Sequence, residues 1–251
     1  MMNKKKIYIF YHICAIDDYE NIIKEQFNLI KNSGLLDKVE KIYYGLLGNI
    51  QNIDHIVKHN KLEKLYNSFN IELFEIPTIN KLYNFSKNND AYILYIHTKG
   101  VTKKIYNGIH GQKYWRELMN YWNIEKYKKC IELLNKGFLT VGINLLPPFQ
   151  IKQKKNIKNS KYHYHYSGNF WWASTDFLKT KNTISIKKKN MDSVTYRCQA
   201  EKWLLSYRIN NKHISLYGPY IKSYPKTGEI GLYGMKLKKK QYKNKFNIII
   251  V

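Results

Sequence analysis

Ala91-Tyr-Ile-Leu-Tyr-Ile-His97-Thr98-Lys99-Gly100 is an apolar run that stops abruptly at an imidazole, a hydroxyl, an ammonium group and a glycine. A run apolar on every side reads as a strand buried on both faces, which is the habit of parallel sheets. Its polar end then lies at the C-terminal tip, where open α/β sheets bind their ligands.

Working outward, the chain alternates between strand and helix signals. Lys6 to Ile13 reads as a strand, Tyr19 to Lys31 as an amphipathic helix stopped by Asn32-Ser33-Gly34, and Val39 to Leu46 as a second strand with Gly45 and Gly48 at its exit. Ile71 to Ile76 reads as a third strand ending at Pro77, and Thr78 to Lys87 as a helix begun by that proline. After the fourth strand, Trp115 to Asn135 has the longest helical pattern, Phe138 to Leu146 the next strand pattern, and residues 149–161 a lysine-rich loop. Ala200 to Ile209 and His213 to Tyr217 follow as helix and strand, and a basic segment occupies 236–251. The expected architecture is a single α/β domain over 1–251, with its core in about 6–220 and a mostly parallel central sheet.

The 251 residues carry a formal charge of +25, which suits nucleic acid, anionic lipid or a diphosphate substrate. Only Arg116, Arg197 and Arg208 are arginines, so the excess is lysine, and lysine does not make the bidentate phosphate and base contacts of specific nucleic-acid readers. No specific nucleic-acid partner is expected. The abundance of Lys, Asn, Ile and Tyr also fits AT-rich coding bias, and the basic tail reads as a solvated run or as a peripheral contact with anionic membrane. Cys14, Cys130 and Cys198 are odd in number and widely spaced, which supports neither a disulfide framework nor a zinc site. The N-terminal Lys4-Lys5-Lys6 and the apolar stretch after it lack a signal-peptide cleavage site, and nothing approaches the roughly 20 apolar residues of a membrane span. A cytoplasmic protein is expected.

Two motifs carry chemistry. At the strand tip, Lys99 beside Gly100 offers a cation and a close backbone approach to phosphate, with His97 and Thr98 adjacent; the competing reading is a solvated turn. Downstream, Tyr162-His-Tyr-His-Tyr-Ser167-Gly168-Asn169-Phe170-Trp171-Trp172-Ala173 surrounds a small polar turn with aromatics. Ser167 and Asn169 suit hydroxyl recognition and Trp171 and Trp172 suit sugar faces, although alternate aromatics of such a segment also enter a core. His163 and His165 share one side of an extended segment, with no further ligand at metal spacing. Among the 18 acidic residues, Glu201 is the candidate general base, placed at the start of Ala200-Glu-Lys-Trp. Asp192 and Asp176 are the alternatives, Asp176 also reading as the N-cap of Phe177-Leu-Lys.

Ile96-His-Thr-Lys-Gly100, Trp115-Arg116, Val141-Gly-Ile-Asn144, His165-Tyr-Ser-Gly-Asn-Phe-Trp-Trp-Ala173 and Ala200-Glu201-Lys-Trp203 occur in an order that resembles a glycosyltransferase-like family. The sequence resembles the N-terminal glycosyltransferase domain of a chlorella-virus capsid glycosylation enzyme and related bacterial and giant-virus proteins. The resemblance spans about residues 6 to 220 and implies a GT-A fold, a Rossmann-like domain that moves a hexose or deoxyhexose from a nucleotide-diphosphate sugar, such as a UDP-sugar, to a glycan acceptor. It implies that Tyr11, His12 and Ile13 lie near the nucleobase and His97, Thr98, Lys99 and Gly100 at the diphosphate and donor sugar. The family's fold usually grips Mn or Mg there with an Asp-x-Asp pair, which this sequence lacks; Lys99 would then supply the charge, His97 being a poor ligand for such hard cations. Two other readings remain open: a basic nucleic-acid-binding protein using its 23 tyrosines, and a degenerate transferase kept as a glycan-binding module.

Overall fold

The computed structural model describes residues 5–101, 111–146, 164–186, 191–206, 212–217 and 249–250. The parallel β-α opening is present. β1 (Lys6–Ala15) leads through α1 (Tyr19–Asn32) and the short α2 (Leu35–Lys38) into β2 (Val39–Gly48) and β3 (Leu62–Ser68). A 3-10 turn at Ile71–Leu73 and α3 (Ile76–Lys87) then return the chain to β4 (Ala91–His97). α4 (Gly111–Asn120), a π turn (Tyr121–Glu125) and α5 (Tyr127–Asn135) follow, then β5 (Thr140–Gly142) and β6 (Leu145–Leu146). β7 (His165–Tyr166), β8 (Trp171–Ser174), α6 (Thr175–Leu178), α7 (Ser193–Trp203), β9 (His213–Ser215) and β10 (Ile249–Ile250) complete the order.

Eight strands form the central sheet in the order β10-β9-β5-β8-β4-β1-β2-β3, while β6 and β7 pair separately. β1, β2, β3 and β4 are mutually parallel. β8 runs against both β4 and β5, and β9 runs with β5, so reversal is confined to β8 and β10. The protein is therefore an α/β fold with a mostly parallel central sheet. Its chain order reverses between β1 and β4: β2 and β3 lie on one side of β1 and every later strand of the sheet on the other. Such a reversal opens a crevice at the strand tips.

Helices cover both faces, which explains the continuous apolar β4. Leu94 and Ile96 pack with α1, α2, α4 and α5, whereas Ile93 and Tyr95 pack with α3, α6 and α7. Alternate residues thus enter opposite cores.

The structure corrects several sequence-based boundaries. The third strand is Leu62–Ser68, and the expected strand at Ile71 to Ile76 is instead the 3-10 turn and the start of α3, with Phe74 at φ 48° breaking the extended chain. The long helix from Trp115 starts at Gly111 and is interrupted by the π turn. The strand of 138–146 is split at Asn144, which adopts φ 54°. The late helix spans Ser193–Trp203 because the Asp192 carboxylate caps it, accepting from the Thr195 amide at 2.9 Å. The loop at 149–161, His163, Arg208 and most of the basic segment lie outside the described residues.

Candidate functional site

β1 and β4 end together, with His12 opposite His97 in register. Just beyond, Thr98 stitches the tips: its amide donates to the His12 carbonyl at 3.0 Å, and its hydroxyl accepts from the Cys14 amide at 3.0 Å. A cavity of about 340 Å³ opens over this junction. His12, His97, Thr98, Lys99 and Gly100 line it from the strand tips, and Glu201 and Arg197 reach it from α7. The crevice demanded by the strand order is thus where the polar tip and the expected acid meet.

The tip is held from below by a buried polar cluster. Arg116 of α4, 5 % exposed, donates to the Lys99 carbonyl at 2.9 Å and pairs with Glu25 of α1 at 2.9 Å. Gln26 donates to the His97 carbonyl and accepts from the Tyr11 hydroxyl at 2.6 Å. Gly100 adopts φ 92°, and a Cβ there would approach Gln112 and Arg116, so the glycine keeps the turn tight against α4.

Both histidines are neutral at physiological pH. Burial, with Lys99 adding repulsion, lowers His97 to about 3, and burial lowers His12 to about 4. His97 Nε2 lies 2.9 Å from the Gly168 carbonyl, which only accepts, so that nitrogen carries the proton. His12 Nδ1 lies 2.9 Å from the Thr78 hydroxyl, itself 2.6 Å from the Tyr66 hydroxyl. The Lys99 ammonium sits 4.0 Å above the centre of the Trp115 ring, so the cation and an aromatic face occupy one wall.

Several expected contacts are corrected. Tyr11 and Ile13, 3 % and 0 % exposed, point into the core rather than toward a base. Trp171 and Trp172, 1 % and 0 % exposed, are core residues and offer no face to a sugar; Trp171 stacks on Tyr95, and Trp172 donates to the Asn123 carbonyl. They alternate across β8 and so enter opposite cores. Ser167, Gly168 and Asn169 back the cavity instead of lining it, with Gly168 and Asn169 in left-handed conformations. Glu201 lies in the last turn of α7, where the helix dipole opposes a negative charge. Asp192 is the cap of that helix, and Asp176 is paired with Lys5 and Lys179 while Ser174 provides the cap.

The sequence reading missed Glu75, Phe74, Cys14, Gln112, Trp115 and Arg197 as lining residues. Glu75 precedes α3, and one of its oxygens, Oε2, accepts from both the Tyr95 hydroxyl and the Asn169 amide at 2.8 Å. The Glu75-Ile-Pro77 helix start was the available signal. Burial, with Asp17 adding to it, pushes the Cys14 thiol up to about 11, which leaves it protonated and a poor nucleophile. Among the described residues no three His, Cys, Asp or Glu side chains converge as a metal site, and no helix is long and apolar enough to cross a membrane.

No curated protein matches the sequence. Among solved structures the chain is similar to a crystal structure of 4-diphosphocytidyl-2C-methyl-D-erythritol synthase, at 10% identity over 77% of this chain and 84% of that chain, with a TM-score of 0.37. That likeness is too distant to carry an activity across. Residues 10–219 match the family model described as a domain of unknown function (DUF8361), a span running from β1 past β9. That span covers most of the 251 residues and includes every residue lining the cavity, and the chain belongs to the DUF8361 family.

Proposed function

We propose that the protein is a glycosyltransferase that moves a sugar from a nucleotide-diphosphate donor to a glycan acceptor. The observation that carries this reading is the cavity at the β1/β4 reversal, where one cation at a strand tip and carboxylates from two other elements share a single space. Breaking a sugar–diphosphate bond requires positive charge for the leaving group and an acid–base group for the incoming hydroxyl. Lys99 serves the diphosphate, Arg197 of α7 lines the same cavity, and Gly100 permits close approach of the backbone. Trp115 supplies the aromatic face that Trp171 and Trp172 do not. Glu201 and Glu75 are the carboxylates available to the acceptor hydroxyl.

A protein-held Mn or Mg ion does not fit this lining. Hard cations take several oxygen ligands, and among the described residues no three His, Cys, Asp or Glu side chains converge to supply them. No step is therefore assigned to one.

The test is a thermal-shift panel of UDP-, GDP- and dTDP-linked sugars at moderate salt, with and without manganese. A ligand that binds the native state raises the melting temperature by mass action. A shift selective for one nucleotide and resistant to salt supports the reading. Equal shifts for every nucleotide that fade with salt reduce the effect to phosphate attraction and overturn it.

A further inference from the structure

We propose that Glu75, and not Glu201, is the base that deprotonates the acceptor hydroxyl, and that Asn169, Trp171 and Tyr95 exist to aim it. This rests on the glycosyltransferase reading of the same cavity.

The case is built from hydrogen bonds that leave little freedom. Trp171 Nε1 can only donate, and it donates to Asn169 Oδ1 at 2.8 Å, which fixes the orientation of the Asn169 amide. Asn169 Nδ2 must therefore face Glu75, and it meets Oε2 at 2.8 Å. Tyr95 brings its hydroxyl to the same oxygen at 2.8 Å. The Tyr95 ring is fully buried and stacks on Trp171 with centroids 5.0 Å apart, so both donors are locked through one indole. Oε1 of Glu75 accepts no hydrogen bond among the described residues, and the residue lines the cavity.

Backbone strain converges on the same carboxylate. Phe74, immediately before it, sits at φ 48° and ψ −147°, a conformation that L side chains rarely adopt, and Asn169 takes the left-handed φ of 57° that asparagine tolerates better than most residues. Such costs cluster where a side chain must be aimed. Glu75 also precedes the first turn of α3 without capping it through its side chain, so its carboxylate is diverted from the commonest local use of an acid there. Glu201 has none of this support: it projects from a final helical turn, beside the exposed Arg197 one turn earlier.

In the step itself, the acceptor oxygen attacks the anomeric carbon from the face opposite the diphosphate. The new C–O bond forms as the bond to the diphosphate oxygen breaks, and the diphosphate leaves with that electron pair toward Lys99. The acceptor proton passes to Glu75 Oε1 and is later lost to water. In the absence of a glycan, water takes the acceptor's place and the nucleoside diphosphate is released by hydrolysis.

The experiment measures nucleoside-diphosphate release from UDP-, GDP- and dTDP-linked sugars, together with affinity for each free nucleoside diphosphate. The wild type is measured first, then Glu75→Gln, Glu75→Ala, Glu201→Gln and Asn169→Gly. Glu75→Gln is expected to lower release by about 100-fold or more with affinity unchanged, the usual loss on removing a general base, and by at least about tenfold more than Glu201→Gln does. Formate added to Glu75→Ala restores part of the release, which a structural role would not produce. If Glu75→Gln does not fold, Asn169→Gly carries the test, because glycine tolerates the left-handed backbone while removing the donor; release is expected to fall about tenfold. Unchanged release in that variant, or wild-type release in Glu75→Gln with loss in Glu201→Gln, overturns the role of Glu75 and leaves the transferase reading standing. A wild type that neither binds nor cleaves any sugar nucleotide overturns both.

Discussion

His97 donates its Nε2 proton to the carbonyl of Gly168 at 2.9 Å, which joins the β4 tip to the turn before β8. The two most distinctive motifs of the sequence are therefore one structural unit. The turn supports the tip, and the aromatics after it support the turn.

That unit is sensitive to a single methyl group. Gly168 adopts φ 90°, and a Cβ there would lie 2.5 Å from the Met119 sulfur and 3.0 Å from the Trp115 ring. Gly168→Ala is expected to destabilise the protein by about 2 to 4 kcal/mol, combining backbone strain with overpacking. Thermal or urea denaturation measures it, and a change below about 0.5 kcal/mol, the scatter of ordinary surface substitutions, contradicts the packing described.

Replacing Lys99 with Met keeps the stem over Trp115 and removes the charge. Nucleoside-diphosphate affinity is expected to fall about tenfold, the value of one charge-assisted contact, and its dependence on salt to become shallower. Titration calorimetry at two ionic strengths reads both effects, and unchanged affinity removes Lys99 from the anion site.

Arg116 is a scaffold arginine. Arg116→Ala removes the cation paired with Glu25, leaving it, among the described residues, only the Asn120 amide at 3.0 Å, and frees the Lys99 carbonyl. Removing one member of a fully buried pair costs about 3 to 5 kcal/mol, and because the Glu25 side chain is 30% exposed the expected loss is the lower value or less. Chemical denaturation checks this, and ligand affinity in the folded fraction should fall with it, since the β4 tip loses its support.

Acid should weaken the fold before the carboxylates titrate. Burial holds His97 at about 3, His12 at about 4 and His213 at about 4 in the native state, against about 6.5 in the unfolded chain. Between those values the unfolded state binds more protons, so stability is full above about pH 6.5 and is lost as pH falls toward 4. Each histidine accounts for up to about 2 kcal/mol of loss at pH 5. Melting temperature followed from pH 7.5 to 5 should decline, and a flat profile contradicts neutral buried imidazoles.

What could be read from the sequence follows from how each signal arises. β4 was legible because burial on both faces makes every residue apolar, and the His97–Gly100 tip followed from its direction. β3 was not: it is a half-exposed edge strand, Leu62-Glu-Lys-Leu-Tyr-Asn-Ser68, while the better-looking alternation of Ile71 to Ile76 forms the cavity rim. Trp171 and Trp172 were conspicuous for a packing reason, since side chains fixing a polar turn from beneath look in sequence like side chains stacking on a ligand. Glu75 was hidden because its partners, Tyr95 and Asn169, are 20 and 94 positions away, and only the folded chain joins them.

The π turn at Tyr121–Glu125 sets the phase of everything before it. A π turn holds one more residue than an α turn. Here it leaves the Asn123 carbonyl to the Trp172 indole and the Trp122 carbonyl to the Cys130 thiol. Deleting one residue within it, before the non-helical Lys126 that separates it from α5, would rotate α4 about 100° relative to α5. Trp115 would then swing away from Lys99, and Arg116 away from Glu25, with both helices still intact. The length of one helical turn is thus as restrictive in this chain as any side chain in the site.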